Sequence, residues 1–326
     1  MSDLAGRPSG WHRPMMWFAG AMAVMAVVSA VGLVVDGRVL IGAPIWLKPF
    51  KFAVSIGIYC VTWAWMASLL TTGRRLANLV SHALVALLGV EYGVIVLQVV
   101  RGRASHFNVA TPLDSALWKI MAVSIAALWI GTFVLTVLLF RSPIAEVASR
   151  WAIRLGGVLS LVGLALGYLM VTPTASQLST MRSGGVTDVI GAHAVGVQDG
   201  GPIMPVTGWS TTGGDLRIPH FVGMHALQAL PLLALLLLAL ARWVRRLGEP
   251  RVRLRLVVVA AVGYAGLTAL VTWQALRGQA LIHPDGPTLG AAAALVGAVA
   301  MATSVVLRPS PRTGGVAGAR QAASAR

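Results

Sequence analysis

Eight stretches of about 20 consecutive, mostly apolar residues constrain this chain more than any other feature of its sequence. A stretch of that length crosses the hydrocarbon core of a bilayer as an α-helix, because every backbone amide there must be paired within the segment. The strands of a membrane β-barrel are shorter and alternate in polarity, unlike these stretches. The sequence therefore predicts an all-α polytopic membrane bundle of eight transmembrane helices. The predicted spans are residues 15–35, 52–71, 79–100, 120–140, 152–172, 220–241, 256–276 and 287–307.

The composition supports this prediction and excludes other classes of protein. Apolar residues make up 57% of the 326 residues and charged residues 11%, which is far too apolar for a disordered chain or an ordinary soluble domain. The formal net charge is +16, but the apolar stretches carry almost none of it, so we expect no nucleic acid as a partner. The expected partner is the lipid bilayer, and the sequence leaves the oligomeric state open.

The basic residues also predict how the chain is oriented. With the N-terminal segment 1–14 in the cytoplasm, 17 of the 26 Lys and Arg residues fall on the inner side and 9 on the outer side. The first apolar stretch is longer than the core of a cleavable signal peptide, so we expect it to be retained as a span. Because Arg, Ala, Val and Gly are all abundant, the sequence is typical of a GC-rich bacterial genome. We therefore expect a bacterial plasma (inner) membrane, with both termini cytoplasmic.

Weak internal similarity predicts two four-helix halves, residues 15–140 and 152–307, related as a parallel repeat. The sequence Gln-x-x-Arg-Gly-x-Ala ends the third span at Gln98 and the seventh span at Gln274. Segment 173–219 has 47 residues, nine of them glycine, and its scattered apolar residues indicate a folded outer loop rather than a disordered linker. Segment 308–326 is basic and lacks apolar periodicity, which predicts a disordered tail.

Glu91 is the acidic residue that lies deep inside a predicted span, about 13 Å from its outer end. A carboxyl group at that depth is costly, so it is a functional hypothesis by default. Gln98 lies seven residues further on, on the same helix face. The structural alternative, equally weighted, is a protonated Glu91 that hydrogen-bonds a neighbouring helix.

The sixth predicted span carries a second polar group, formed by Arg217, His220, His225 and Gln228. His225 lies at a depth comparable with that of Glu91, so both are candidate catalytic residues. His220 and His225 are five residues apart, whereas zinc-binding helical pairs are four apart, so a metal would need further ligands. Whether a metal binds stays open, and the favoured structural alternative is that His225 makes an interhelical hydrogen bond.

A third polar group, His106 and Asn108, lies in the outer loop after the third span. Together with Gln274 and Arg277 at the corresponding end of the seventh span, it completes the candidate ligand-binding set. The structural alternative for Arg277 is that it anchors the end of its helix in the lipid headgroups. His12 and His82 fall on the inner side, and the absence of an evident partner at the depth of His82 argues against haem.

Three functions fit these features. The first is an outward-facing polar pocket that binds a small ligand or a metal, with Glu91 and His225 as acid, base or ligand. The second is a secondary transporter or proton-coupled carrier, with Glu91 as the coupling carboxylate. The third is a membrane accessory or assembly protein whose long outer loop binds a partner. No catalytic motif in a supporting context decides whether the chain is an enzyme, and the cofactor stays unknown.

Overall fold

The computed structural model describes residues 10–308, and helices form nearly all of its regular structure. All of the predicted tail 308–326 except its first residue, and residues 1–9 of segment 1–14, therefore lie outside the described residues. The described part of the chain has ten α-helices, which we number α1 to α10 in chain order. They are Arg13–Val35, Leu47–Ser68, Arg74–Arg101, Pro112–Arg141, Val147–Leu166, Ala175–Arg182, Arg217–Met224, Ala226–Leu240, Pro250–Leu276 and Gly286–Leu307.

Eight helical segments are long and apolar enough to cross a membrane, which confirms the predicted all-α polytopic bundle. The helix α5 continues through a 3₁₀ turn, Gly167–Met170, and α7 and α8 together make one span. Several helices begin earlier than their apolar stretches, because polar residues at a helix end remain outside the hydrocarbon. Thr111 caps α4 and Asp285 caps α10, and each is followed by a proline in the first helical turn.

The sixth span is interrupted at His225, between α7 and α8. Pro231, the residue of this span that disturbs helical hydrogen bonding, lies inside α8. Proline has no backbone N–H, so the carbonyl of Leu227 loses its helical donor. The interruption falls in the turn next to that carbonyl, six residues ahead of the proline itself.

The first four helices share one large apolar core, and the later spans share a second one. Trp63, Leu84 and Leu135 are fully buried in the first core. Leu230 and Val257 are buried in the second. The two groups meet where α4 packs against α5. The division of the chain into two four-helix halves stays a prediction.

The helix α10 is the most peripheral span, because it packs mainly against α9. No residue in its 18-residue apolar stretch is buried within the protein, and Leu289, Val296 and Met301 are largely exposed. Such a surface suits lipid chains, so the bilayer itself is the solvent that this part of the fold requires.

The connections on one face of the bundle form a folded cap. Strands β1, Val39–Leu40, and β2, Ala43–Pro44, form a hairpin after α1. The long segment 173–216 contributes α6 and the antiparallel pair β3, Ala194–Val195, and β4, Gly214–Asp215. Backbone hydrogen bonds join this segment to the loop after α3, at Val109 with Asp188 and at Ile190 with Phe107. The long loop is therefore folded, as its apolar residues predict.

Small residues allow α5 to approach the sixth span closely. A Cβ atom at Gly163 would overlap the backbone of Gly223 and Met224 in α7. A Cβ atom at Gly156 would lie 2.7 Å from the Ala226 carbonyl oxygen in α8. Membrane helices associate through such contacts, because lipid supplies no hydrophobic drive between apolar surfaces.

We therefore expect Gly163→Ala to destabilise the protein by about 1–3 kcal/mol, since the backbones must move apart. The matched control is Gly20→Ala in α1, where a Cβ atom has no neighbour within 4 Å. The thermal unfolding midpoint of the purified protein in detergent measures both. Equal midpoints for the two variants would contradict the close packing of α5 on α7.

Candidate functional site

His106 lies among aromatic rings at the start of the cap. Its ring centroid lies 5.4 Å from that of Trp118, 5.9 Å from that of Phe52 and 6.0 Å from that of Phe107. Its Nδ1 atom is 3.2 Å from the Ser105 hydroxyl. The loop thus holds an imidazole against a mainly apolar wall.

Phe107 has a positive φ of 63°, a left-handed conformation that is unfavourable for an aromatic residue. Its ring also contacts His193 at 4.9 Å between centroids, so it lies between two histidines. Gly191, at φ 105°, leaves the space that this ring occupies, because a Cβ atom there would come within 3.0 Å of it. Strain of this kind persists where the surroundings fix it, and it is concentrated at functional sites.

His193 and Asp199 form a pair in the long loop that the sequence analysis missed. The Nδ1 atom of His193 lies 2.7 Å from Oδ2 of Asp199, whose carboxylate also accepts the backbone N–H groups of His193 and Ala194. Burial raises the pKa of Asp199, but these hydrogen bonds outweigh it and hold the pKa well below its usual value. The carboxylate therefore fixes the His193 ring and directs its Nε2 atom away from Asp199.

His220, at the start of the sixth span, is held in a similar way. Its Nδ1 atom lies 2.9 Å from the Gly163 carbonyl oxygen, which can only accept, so Nδ1 carries the proton. In neutral His220, Nε2 is then an acceptor. Gly167 leaves room for this ring, because a Cβ atom there would lie only 3.1 Å from His220 Nδ1.

Lys48, in the first turn of α2, belongs to the same cluster. Its Nζ atom lies 5.8 Å from the centroid of the Phe52 ring, which in turn contacts His106. Burial lowers the pKa of His106 well below its usual value, and the nearby groups Lys48, His193 and His220 lower it further. Burial also lowers the pKa of His193, although its bond to Asp199 opposes this.

These four side chains come from four separate segments: α2, the loop after α3, the long loop and α7. Each is only partly accessible, and each histidine has Nδ1 engaged and Nε2 free of any other hydrogen bond within residues 10–308. We call Lys48, His106, His193 and His220, with the rings of Phe52, Phe107 and Trp118, the histidine recess. Chemically, it offers one ammonium group, three imidazoles and flat apolar walls.

The recess is not arranged as a metal centre. Within residues 10–308 no three His, Cys, Asp or Glu side chains are grouped so that they could hold a metal ion.

Glu91 lies below the recess, with its side chain 1% exposed. Neither carboxyl oxygen has a hydrogen-bond partner in the described chain, and its electrostatic partner is Lys48. One turn nearer the cap, Val94 and Ile95 pack with Met121, and Phe52 and Trp118 of the recess lie against the same cluster. Glu91 is thus linked to the recess through Lys48.

His225 is placed differently from the expectation that it shares a pocket with Glu91. Its Nδ1 atom lies 3.2 Å from Gln228 Oε1, and Gln228 Nε2 donates to Thr62 in α2. The pair therefore joins the sixth span to α2, and no recorded interaction within the described residues connects it to Glu91. The interhelical hydrogen bond is made by Gln228, and His225 takes part in it only through its bond to Gln228 within the same span.

The two Gln-x-x-Arg-Gly turns are built alike. Gln98 donates to the Ala104 carbonyl and Gln274 to the Ala280 carbonyl, six residues on in each case. Arg101 pairs with Asp114, and Arg277 pairs with Asp285, near the start of the following helix. Each helix then ends at a glycine of positive φ, the usual end of a Schellman turn. The polar atoms of these residues close the loops.

The polar groups of two other predicted ligand-binding residues also bond to the protein itself. Asn108 donates to the Ala104 carbonyl and accepts the N–H of Ala110, so it shapes its own loop. Arg217 pairs with the fully buried Asp215 and donates to the Gly208 carbonyl. Of the predicted set, His106 and His220 belong to the recess, where they interact electrostatically, and Lys48 and His193 join them without having been predicted. The only sequence signal for Lys48 and His193 is their position at a helix end and in a loop.

The chain matches no protein-family model, and comparisons with curated proteins and with solved structures found no similar protein.

The histidines of the recess make stability depend on pH. The folded protein lowers the pKa of His106 and His193, so below about pH 6.5 the unfolded chain binds more protons and stability falls. Asp199 stays ionised in both states between pH 5 and 7, so it adds no slope there. We expect the His106→Asn, His193→Asn double variant to lose less of its thermal midpoint than the wild type between pH 7 and pH 5.

The matched control is His283→Asn, because His283 is exposed on the same face. It should follow the wild-type pH dependence. If the double variant also follows it, the two imidazoles are not kept neutral by the fold.

Proposed function

We propose that this multi-pass membrane protein binds a small organic anion with a flat apolar part in the histidine recess. The convergence of Lys48, His106, His193 and His220 from four segments is the observation that carries the proposal. The Lys48 ammonium group binds a carboxylate or a similar anion through a charge-assisted bond, which is strong in a dry recess, and the Nε2 atoms of His193 and His220 accept a hydroxyl or N–H group of the same ligand.

The walls of the recess support the apolar part of this ligand. Phe52, Phe107 and Trp118 surround His106, and aromatic faces stack on flat ligands. Ligand sites are commonly apolar clefts with a few fixed polar groups, which describes this arrangement. The ring of His193, oriented by Asp199, is the best-placed base for a proton of the ligand.

The distribution of basic residues supports a location for the recess. All its loops lie on the face opposite the N-terminal end of α1, and the 17-to-9 distribution of Lys and Arg places that face outside. We propose that the ligand enters from the outer side of a bacterial inner membrane, with both termini of the chain cytoplasmic.

The test uses planar carboxylates of increasing size, from acetate through benzoate to naphthoate, on the purified full-length protein. We expect the larger members to raise the thermal midpoint, and Lys48→Gln to weaken their binding about tenfold through the loss of a charge-assisted bond. The matched control is Lys119→Gln, because Lys119 is exposed near the same face. Equal binding by the two variants, or no stabilisation by any carboxylate, would refute the proposal.

Glu91 favours a second candidate function, a proton-coupled carrier of the same ligand. Ionisable residues buried in a span are costly to charge and are typical of proton pathways, and Lys48 connects Glu91 electrostatically to the recess. The ligand would bind above Glu91, and the proton would be held below.

For this candidate we expect Glu91→Gln to abolish pH-gradient-driven uptake of benzoate into proteoliposomes while benzoate binding persists, since the recess is intact. The exposed Glu249→Gln provides the control for loss of a carboxyl group. If uptake driven by the pH gradient is the same in the two variants, the carrier function is wrong and simple binding remains.

A further inference from the structure

A cleft of about 490 Å³ opens at the other end of the bundle, far from the histidine recess. It is formed by the starts of α1 and α3 and by the end of α2. The residues that give it its chemistry are Trp11, His12, Arg13, Arg74, Ser81 and His82.

The cleft is rich in hydrogen-bond donors that lack acceptors. The indole Nε1 of Trp11 and the hydroxyl of Ser81 are both buried and have no partner in the described chain, and Ser81 is 1% exposed. Buried polar groups in proteins are nearly always paired, so each unpaired group needs an explanation. A ligand oxygen in the cleft would pair both.

The cleft is also positively charged without compensation. Arg13 and Arg74 line it, and within residues 10–308 neither forms an ion pair. No Asp or Glu is among the residues that line the cleft. Two arginines beside unpaired donors suit an oxyanion, since guanidinium groups bind phosphate and carboxylate oxygens in pairs.

The two histidines point to the same kind of ligand. His12 accepts the N–H of Met15 at Nδ1, so neutral His12 carries its proton on Nε2. His82 Nδ1 lies 2.7 Å from the Asn78 carbonyl oxygen and therefore donates to it. The two donor nitrogens approach to 3.4 Å, where neither can accept from the other. The N–H group at His12 Nε2 is therefore left without an acceptor, and a ligand oxygen beside it would supply one.

We propose that this cleft binds a phosphate group, which carries several acceptor oxygens and enough charge for both arginines. Donors on separate helices surround the site, so they match a tetrahedral oxyanion better than a flat carboxylate. The phosphate belongs either to the headgroup of an anionic phospholipid or to free phosphate. The cleft lies at the ends of spanning helices, where headgroups are available, and its volume accommodates more than a bare phosphate.

The experiment measures the thermal midpoint of the full-length protein in a zwitterionic detergent. One series adds dioleoylphosphatidylglycerol or dioleoylphosphatidylcholine, and another adds inorganic phosphate or chloride at equal ionic strength. We expect stabilisation by phosphatidylglycerol or by inorganic phosphate, and which of the two stabilises identifies the source. Arg74→Gln should weaken that binding about tenfold.

Arg75→Gln is the matched control, because Arg75 is the next residue and does not line the cleft. A second variant, Ser81→Ala, should weaken binding several-fold and keeps the test valid if Arg74→Gln folds poorly. The proposal is overturned if neither anion stabilises the protein, if phosphatidylcholine stabilises as well as phosphatidylglycerol, or if both arginine variants bind alike.

Discussion

The pairing of every backbone amide inside hydrocarbon is the constraint on which the rest of this structure depends. It forces the eight apolar stretches into helices and moves almost all irregular backbone to the helix ends. Chemically versatile residues are rare within the spans, because burying them in hydrocarbon is costly. The histidine recess and the cleft lined by Arg13 and Arg74 both hold polar groups without partners, and they accordingly lie at opposite ends of the bundle.

The same constraint explains how much of the fold the sequence predicts. Apolar length alone identifies all eight spans, since it reflects the thickness of the bilayer and needs no tertiary information. The helix ends are less predictable: α2 begins at Leu47 and α4 at Pro112, several residues ahead of their apolar stretches. The capping residues of each helix and its packing against the folded connections determine where the helix begins. Hydropathy reports neither of these.

The site was predictable only in part, for a physical reason that differs from residue to residue. Glu91 and His220 were visible as polar residues that break an apolar pattern. His193 and Asp199 lie in a glycine-rich loop, where no periodicity relates the residues, so their 2.7 Å contact exists only in the folded cap. Conversely, the sequence predicts similar membrane depths for Glu91 and His225. Depth within the membrane does not determine which neighbouring helix each side chain faces.

The two Gln-x-x-Arg-Gly turns show how similar ends of the bundle acquire different chemistry. After the first turn, Thr111 caps the next helix and Asp114 follows three residues later, whereas Asp285 caps and Thr288 follows after the second. The acid and the hydroxyl have exchanged positions, yet each arginine still meets its aspartate. The turns therefore serve as equivalent structural closures. What distinguishes the first four helices is Glu91, whose counterpart seven residues before Gln274 is Leu267. Because the similar turns do not require a carboxyl group at this depth, Glu91 is the residue for which we propose a role in proton coupling rather than in the construction of the fold.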